Sequence, residues 1–337
     1  MIKNRIILVL ATAIGILSTH YYLYRNQIRE SYPNQKDDHP IRWIQTSSRK
    51  GSFMLSKNVK FRSKENVYLN IEELIGELIP LGTSEIVNFD DINSFLINCH
   101  SGTVYVPREV IETLVRDYIF NYPEPALRLE SIEFPPQKDG ENIILARGEL
   151  KFVIWLNFLL KGRVSVDPED NSITVIAEEI TSVGTSYAKD LLGLVGLDIQ
   201  KLIPIPEGRG LEIIQNKIKV KPFGLFPPPQ LNGHFEDVGV RKGMLYLKLS
   251  SEEKILFPPP VDKSAKNYIY LYKGDVKFGR LMMVDARLQI VDQDPSDLFD
   301  FSIENYYQTI TLGGTAHLFL DKSVKVSMPD FDDAMRK

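Results

Sequence analysis

Cysteine is nearly missing from this chain of 337 residues. Cys99 stands alone, so no internal disulfide and no cysteine-based zinc site can form. A single Cys inside the apolar run Phe95–Cys99 reads as a small buried hydrophobe. Histidine is sparse too. None of the five histidines, His20, His39, His100, His234 and His317, forms the H-x-x-x-H pair of a zinc protease. There is no G-x-S-x-G, no P-loop and no G-x-G-x-x-G, which removes the common signals for acyl transfer and for nucleotide binding. Asn-x-Ser/Thr is also absent. No catalytic constellation assembles, so neither an enzyme nor a cofactor is expected; the alternative is a carboxylate-dependent hydrolase with its site near Asp292–Asp300.

Charge is present but unevenly spread. Residues 1–65 carry twelve Lys/Arg against four Asp/Glu, while the rest of the chain is acidic. An acidic body speaks against nucleic-acid binding, which needs a basic face. The basic end also holds the longest apolar run, Ile6–Leu23, flanked by Lys3, Arg5, Arg25 and Arg29. Its most apolar part, Ile6–Leu17, has the length of a signal-peptide core. With Tyr21, Tyr22 and Leu23 it reaches the roughly 18 residues needed to span a bilayer. The tyrosine rings would then rest at the headgroup level. No clean small-x-small cleavage site follows, so residues 1–24 are expected to be an uncleaved signal anchor; a cleaved signal peptide is the alternative. The short N-terminal tail favours a cytoplasmic N-terminus and an exported, periplasmic body. Residues 25–50, polar and carrying Pro33 and Pro40, read as a tether.

Beyond the tether, periodicity organises the chain. A short strand or hairpin is expected over residues 51–63. Asn70–Pro80 has a helical start, with Asn70 as cap and Glu72 and Glu73 in the first turn. After Pro107, the residues Val110, Ile111, Leu114, Val115, Tyr118 and Ile119 recur at helical spacing. Strands are expected at Leu127–Phe134, Ile143–Ile154, Trp155–Val166 and Ile173–Thr181, with an explicit turn at Asp167–Asn171. The apolar phase slips between Leu129 and Ile132, which indicates a bulge. Ile144, Ala146, Gly148, Leu150, Phe152 and Ile154 share one strand face.

A second helix is expected over Tyr187–Ile203. Its middle, Leu191–Leu197, has no polar side chain and needs cover on most sides. Gly193 and Gly196 each weaken it by roughly 1 kcal/mol against Ala, a cost that fits close approach of another backbone or a ligand chain. Further strands are expected at Glu212–Val220, Leu231–Val240, Met244–Leu249, Tyr268–Tyr272, Val276–Val291, Phe299–Ile303 and Gln308–Leu320.

Two surface features invite chemistry. Asp292, Asp294, Asp297 and Asp300 supply hard oxygen atoms suited to calcium, but the EF-hand spacing fails, and an acidic turn at a strand end is the plainer reading. Phe223, Leu225 and Phe226 beside Pro227–Pro229 form an apolar tip that would dip into a bilayer or fold back to plug the sheet.

The order of elements over residues 104–250 resembles a known pattern. Val104-Tyr105-Val106-Pro107 leads into a short helix and four long strands. Ile180–Ser186 then runs into the Leu/Gly-rich helix, and Leu211–Pro222, a proline stop and Leu231–Val238 follow. This resembles the bacterial cell-envelope lipid-binding proteins of the tubular lipid-binding (TULIP) superfamily. The resemblance implies an α+β fold in which a long curved antiparallel β-sheet wraps around helices and leaves an apolar groove for acyl chains. It brings no catalytic motif.

The expected organisation is therefore an anchor (1–24), a tether (25–50), a lipid-binding-like domain (51–250, core 104–250) and a β-rich C-terminal extension (251–337). Val110, Leu114, Ile144, Leu150, Phe152, Ile154, Leu191, Leu192, Val195 and Ile199 are the candidate groove residues for a lipid or polyprenyl-type ligand. Tyr21, Tyr22, Phe223 and Phe226 are the candidate membrane contacts. From the residues alone, a hollow groove and a filled sheet-on-helix core both remain open.

Overall fold

The computed structural model describes residues 51–136, 138, 140–151, 155–182, 203, 205, 210–251 and 255–336. Both expected apolar helices, Ile6–Leu23 and all but single residues of Tyr187–Ile203, lie outside them. Among the described residues no helix is long and apolar enough to cross a membrane. The fold is β-dominated, with a curled half-barrel sheet.

The largest sheet is built from the two ends of the described chain. β1 (Ser52–Lys64) and β2 (Val67–Pro80) form a long hairpin, and β2 pairs with β4 (Phe95–Val106). The other strands come from the C-terminal half: β12 (Phe235–Arg241), β13 (Met244–Leu249), β14 (Tyr268–Tyr272), β17 (Arg287–Asp292), β20 (Val324–Met328) and β19 (Thr315–Leu318). They run in the order β12-β13-β4-β2-β1-β14-β17-β20-β19. The sheet is thus continuous across residue 250. β1 changes neighbour along its length. Phe53–Lys57 pair with β14, and Val59–Arg62 pair in parallel with β18 (Phe299–Ser302). The switch falls at Asn58, whose φ of 50° suits Asn better than most residues. β11 (Gln230–Gly233) pairs in parallel with β4. A small sheet joins β3 (Ile86–Asn88), β15 (Asp275–Phe278) and β16 (Leu281–Met283).

Residues between β4 and β11 form a second layer. α1 (Arg108–Thr113) starts after Pro107 and widens into a π turn over Leu114–Ile119. β5 (Leu127–Glu133), β6 (Ile143–Lys151), β7 (Trp155–Val166), β8 (Ile173–Ser182), β10 (Lys217–Val220) and β9 (Leu211–Ile214) follow as a six-stranded antiparallel sheet. The short α2 (Pro222–Leu225) closes it. The four expected strands lie where the alternation placed them, the last three residues of Ile143–Ile154 falling outside the described residues, and the register slips between Leu129 and Ser131, inside the stretch where the apolar phase broke. Gly148 faces that slip; a Cβ there would lie 2.2 Å from the Arg128 carbonyl oxygen.

Five expectations need correction. Leu231–Val240 divides at His234 into β11 and β12, and Val276–Val291 divides into β15, β16 and β17. Asn70–Pro80 is strand, not helix. Its buried residues Ile71, Leu74 and Leu78 mimic helical spacing because register shifts at Ile71/Glu73 and Ile75/Gly76 break the strand's two-residue phase. Glu212–Val220 is a hairpin turning at Gln215-Asn216, with Gln215 at φ 56°. Gln308–Leu320 begins as helix, α3 (Tyr306–Thr311), and only then becomes β19.

Candidate functional site

The two sheets face each other across an apolar junction, held at its rim by two asparagines. Asn171, at φ 55° in the Asp167–Asn171 turn, donates through Nδ2 to the Phe235 carbonyl at 2.9 Å. Its Oδ1 accepts from the Phe235 amide at 2.8 Å. Asn142 does the same work nearby, donating to the Val238 carbonyl and accepting from the Val240 amide. Each side chain thus extends the β12 backbone pairing to the second sheet. Lys219 ties the same turn down through Asp167 at 2.8 Å and Asp170 at 3.3 Å.

Inside this rim lies a cavity of about 120 Å³ with a wholly apolar wall. The large sheet contributes Val106, Leu245 and Leu247. The α1 region contributes Ile111, Leu114, Val115 and Ile119. The second sheet contributes Ile132, Ile144, Val164, Ile173, Val175, Leu211 and Val220, and α2 with its flank adds Pro222, Leu225 and Phe226. Apolar cavities on this scale stay dry and accept apolar guests; a 150 Å³ example takes benzene or xenon. Ile144, Val175, Leu211 and Val220 are only half-buried, so the wall is incompletely covered. A smaller apolar void of about 30 Å³ adjoins it under the large sheet, and Pro222, Phe226 and Leu247 contribute to both.

The candidate groove residues separate in space. Leu114 and Ile144 line the cavity together. Val110 is fully buried in the core under the large sheet, and Leu150 packs with Leu127, Phe158, Leu160 and Ala177 in a filled cluster. Phe152, Ile154, Leu191, Leu192, Val195 and Ile199 lie outside the described residues, as do Tyr21 and Tyr22 and the side chain of Phe223. Leu225 is buried and Phe226 half-buried, and both face the cavity, so this part of the apolar tip folds back against the sheets. The wall residues missed from sequence, such as Val164, Val175 and Val220, were legible as inward strand positions; which of them face a void depends on the pairing of distant segments.

A polar cleft of about 770 Å³ lies elsewhere, bordered by Lys60, Tyr68, Asp297, Asp300, Asp330 and Asp332. Arg62 holds two of these lining carboxylates, Asp300 and Asp332. It is buried and donates to both carboxylate oxygens of Asp300, to Asp332 and to the Glu65 carbonyl. Its guanidinium also lies 5.2 Å from the Tyr68 ring and 5.4 Å from Phe331. Tyr68 donates to Glu109 at 2.8 Å, and its hydroxyl is pushed up to about 12 by burial and by that bond. One oxygen atom from each of Asp292, Asp297 and Asp330 falls within 4.8 Å of the others. Burial, and then the charges of Asp292, Asp297 and Asp300, push Asp330 up to about 7, although the Asp300 amide it accepts pulls the other way. Asn267 donates to Asp292, and the Asp294 amide bonds it too. These acids are tied into strand ends and into the start of α4 (Phe331–Met335). Cys99 is buried, and its thiol is raised to about 12, which makes it inert as a nucleophile.

No family model, curated protein or solved structure matches this chain.

Proposed function

We propose that this chain is a membrane-anchored, exported protein that binds an elongated apolar ligand, a lipid or polyprenyl-type chain, in the junction between its two sheets. The observation carrying this reading is the apolar cavity walled by α1, the second sheet and Phe226. A wall without polar groups cannot orient a polar substrate, but it rewards each buried methylene with about 0.8 kcal/mol. About 120 Å³ takes the end of a chain and leaves a polar headgroup outside. The resemblance of residues 104–250 to tubular lipid-binding proteins points the same way, toward a TULIP-like fold and a role in envelope lipid transport or assembly. The basic apolar N-terminus supplies the anchor, and the body lies on the periplasmic side.

The competing reading is a scaffolding protein with a filled interior. It draws support from the packed cluster around Leu150. Mass spectrometry on the full chain, purified in a lipid-free amphipathic polymer, separates the two. A defined, stoichiometric lipid is the expected result. A lipid-free chain that takes up no fluorescent fatty acid rejects lipid binding.

A further inference from the structure

The largest bare apolar feature among the described residues is the β19–β20 turn. Leu320 is 106% exposed, Leu318 70% and Phe319 36%. All four residues of β19 are exposed as well, so this hairpin arm projects from the sheet edge. Exposed apolar groups of this size, gathered at one tip, mark a contact surface.

Strand register locates the tip relative to the start of β1. Leu318 pairs with Val324, Val324 with Leu288, Leu288 with Leu271, and Leu271 with Met54. Four strand steps of about 4.8 Å place Leu318 roughly 19 Å from Met54. The strand directions complete the argument. Going forward along β19 from Leu318 to Leu320, and backward along β1 from Met54 to Gly51, both lead off the same end of the sheet. Gly51, where the described chain begins, therefore lies at the end of the sheet where the bare tip protrudes. An apolar contact on that side selects one orientation of the body against a bilayer.

We propose that Leu318, Phe319 and Leu320 insert into the bilayer that holds the N-terminal anchor, and so present the body to the membrane in a fixed orientation. The proposal rests on the anchored lipid-carrier reading and adds the docking face that such a carrier uses to exchange its ligand. A second copy pairing along the β19 edge fits less well. Most of the edge is Thr315, Ala316 and His317, while the large apolar groups gather at its far end, Leu318, and in the turn that follows, Phe319 and Leu320. Arg287, paired with Asp321 at 2.9 Å, stands at the base of the tip, at headgroup height.

The test uses the full chain with Leu320→Cys labelled by an environment-sensitive fluorophore, reconstituted in phosphatidylcholine/phosphatidylglycerol vesicles. Buried Cys99 does not compete for the label. Lys242→Cys is the reference, because the β12–β13 turn lies at the opposite end of the sheet. The label at position 320 is expected to shift to the blue and to lose most of its emission to spin-labelled lipid, while the label at 242 does neither. A water-like label at 320 on chains that float with the vesicles overturns membrane docking and leaves the anchor standing. Equal quenching at both sites also overturns it, as does a blue shift at 320 without vesicles, which reports a second copy. Chains that fail to float remove the anchored reading and this proposal together.

Discussion

The two sheets solve opposite problems. The large sheet is closely packed apart from one void of about 30 Å³: Val59, Leu271, Phe299 and Phe301 are completely buried, and its charged insert, Arg62, has carboxylate, carbonyl and aromatic neighbours. The junction with the second sheet is apolar, incompletely filled and fastened at its rim by Asn142 and Asn171. Stability is thus concentrated in one region and adaptability in the other. Low-stability elements are the ones that open for ligands.

Breaking the solid region is expected to give the largest effect. Arg62→Ala takes from buried Asp300 its two-point partner and leaves only Lys60 at 3.2 Å, and removing such a buried partner costs up to about 3–5 kcal/mol. Urea unfolding measures it; a cost below about 1 kcal/mol removes the claim that this sheet is the rigid platform. Overpacking sharpens the contrast. Leu271→Phe inserts volume where none is free and is expected to cost about 1–3 kcal/mol. Val175→Phe points into the cavity and is expected to be close to neutral while blocking uptake of a fluorescent fatty acid. Equal destabilisation by both changes contradicts a hollow junction.

A pH profile probes the acidic corner of the solid region. Folded Asp330 keeps its proton up to about 7, whereas the unfolded chain releases it near the ordinary carboxylate value of about 4. Its contribution is therefore full below about pH 4 and is lost as pH rises through about 7. Asp330→Asn keeps an acceptor for the Asp300 amide and removes the charge. It is expected to stabilise the protein at pH 8 by on the order of 2 kcal/mol, after allowance for solvent screening. Thermal unfolding of parent and variant between pH 4 and 8 checks this; parallel curves refute it.

A small, local loss is expected at the rim. Asn171→Ala removes two bonds to Phe235 and is expected to cost about 1–2 kcal/mol. Hydrogen exchange at the Phe235 amide should rise while that of Leu271 stays unchanged.

The sequence was most legible where one local rule acted alone. Strict alternation located β6 and β7, and a broken phase located the bulge after Leu129. It misled where two rules overlapped. Two bulges gave β2 the spacing of a helix, and the β-branched run Thr309-Ile310-Thr311 hid α3. The acidic corner was visible only in part: Asp292 and Asp297 are close in sequence, but Asp330 joins them through the parallel pairing of β17 with β20. The cavity was half legible. Leu114 and Ile144 stood out as apolar faces, but their partners Leu245 and Leu247 come from the far side of an inserted layer of more than a hundred residues.

Fluorescent fatty acid uptake by the full chain, compared with that of Val175→Phe, tests the central claim most directly. Saturable uptake by the parent and its loss in the equally stable variant is the predicted result. No uptake by the parent, or identical uptake by both, would contradict a ligand chamber between the sheets.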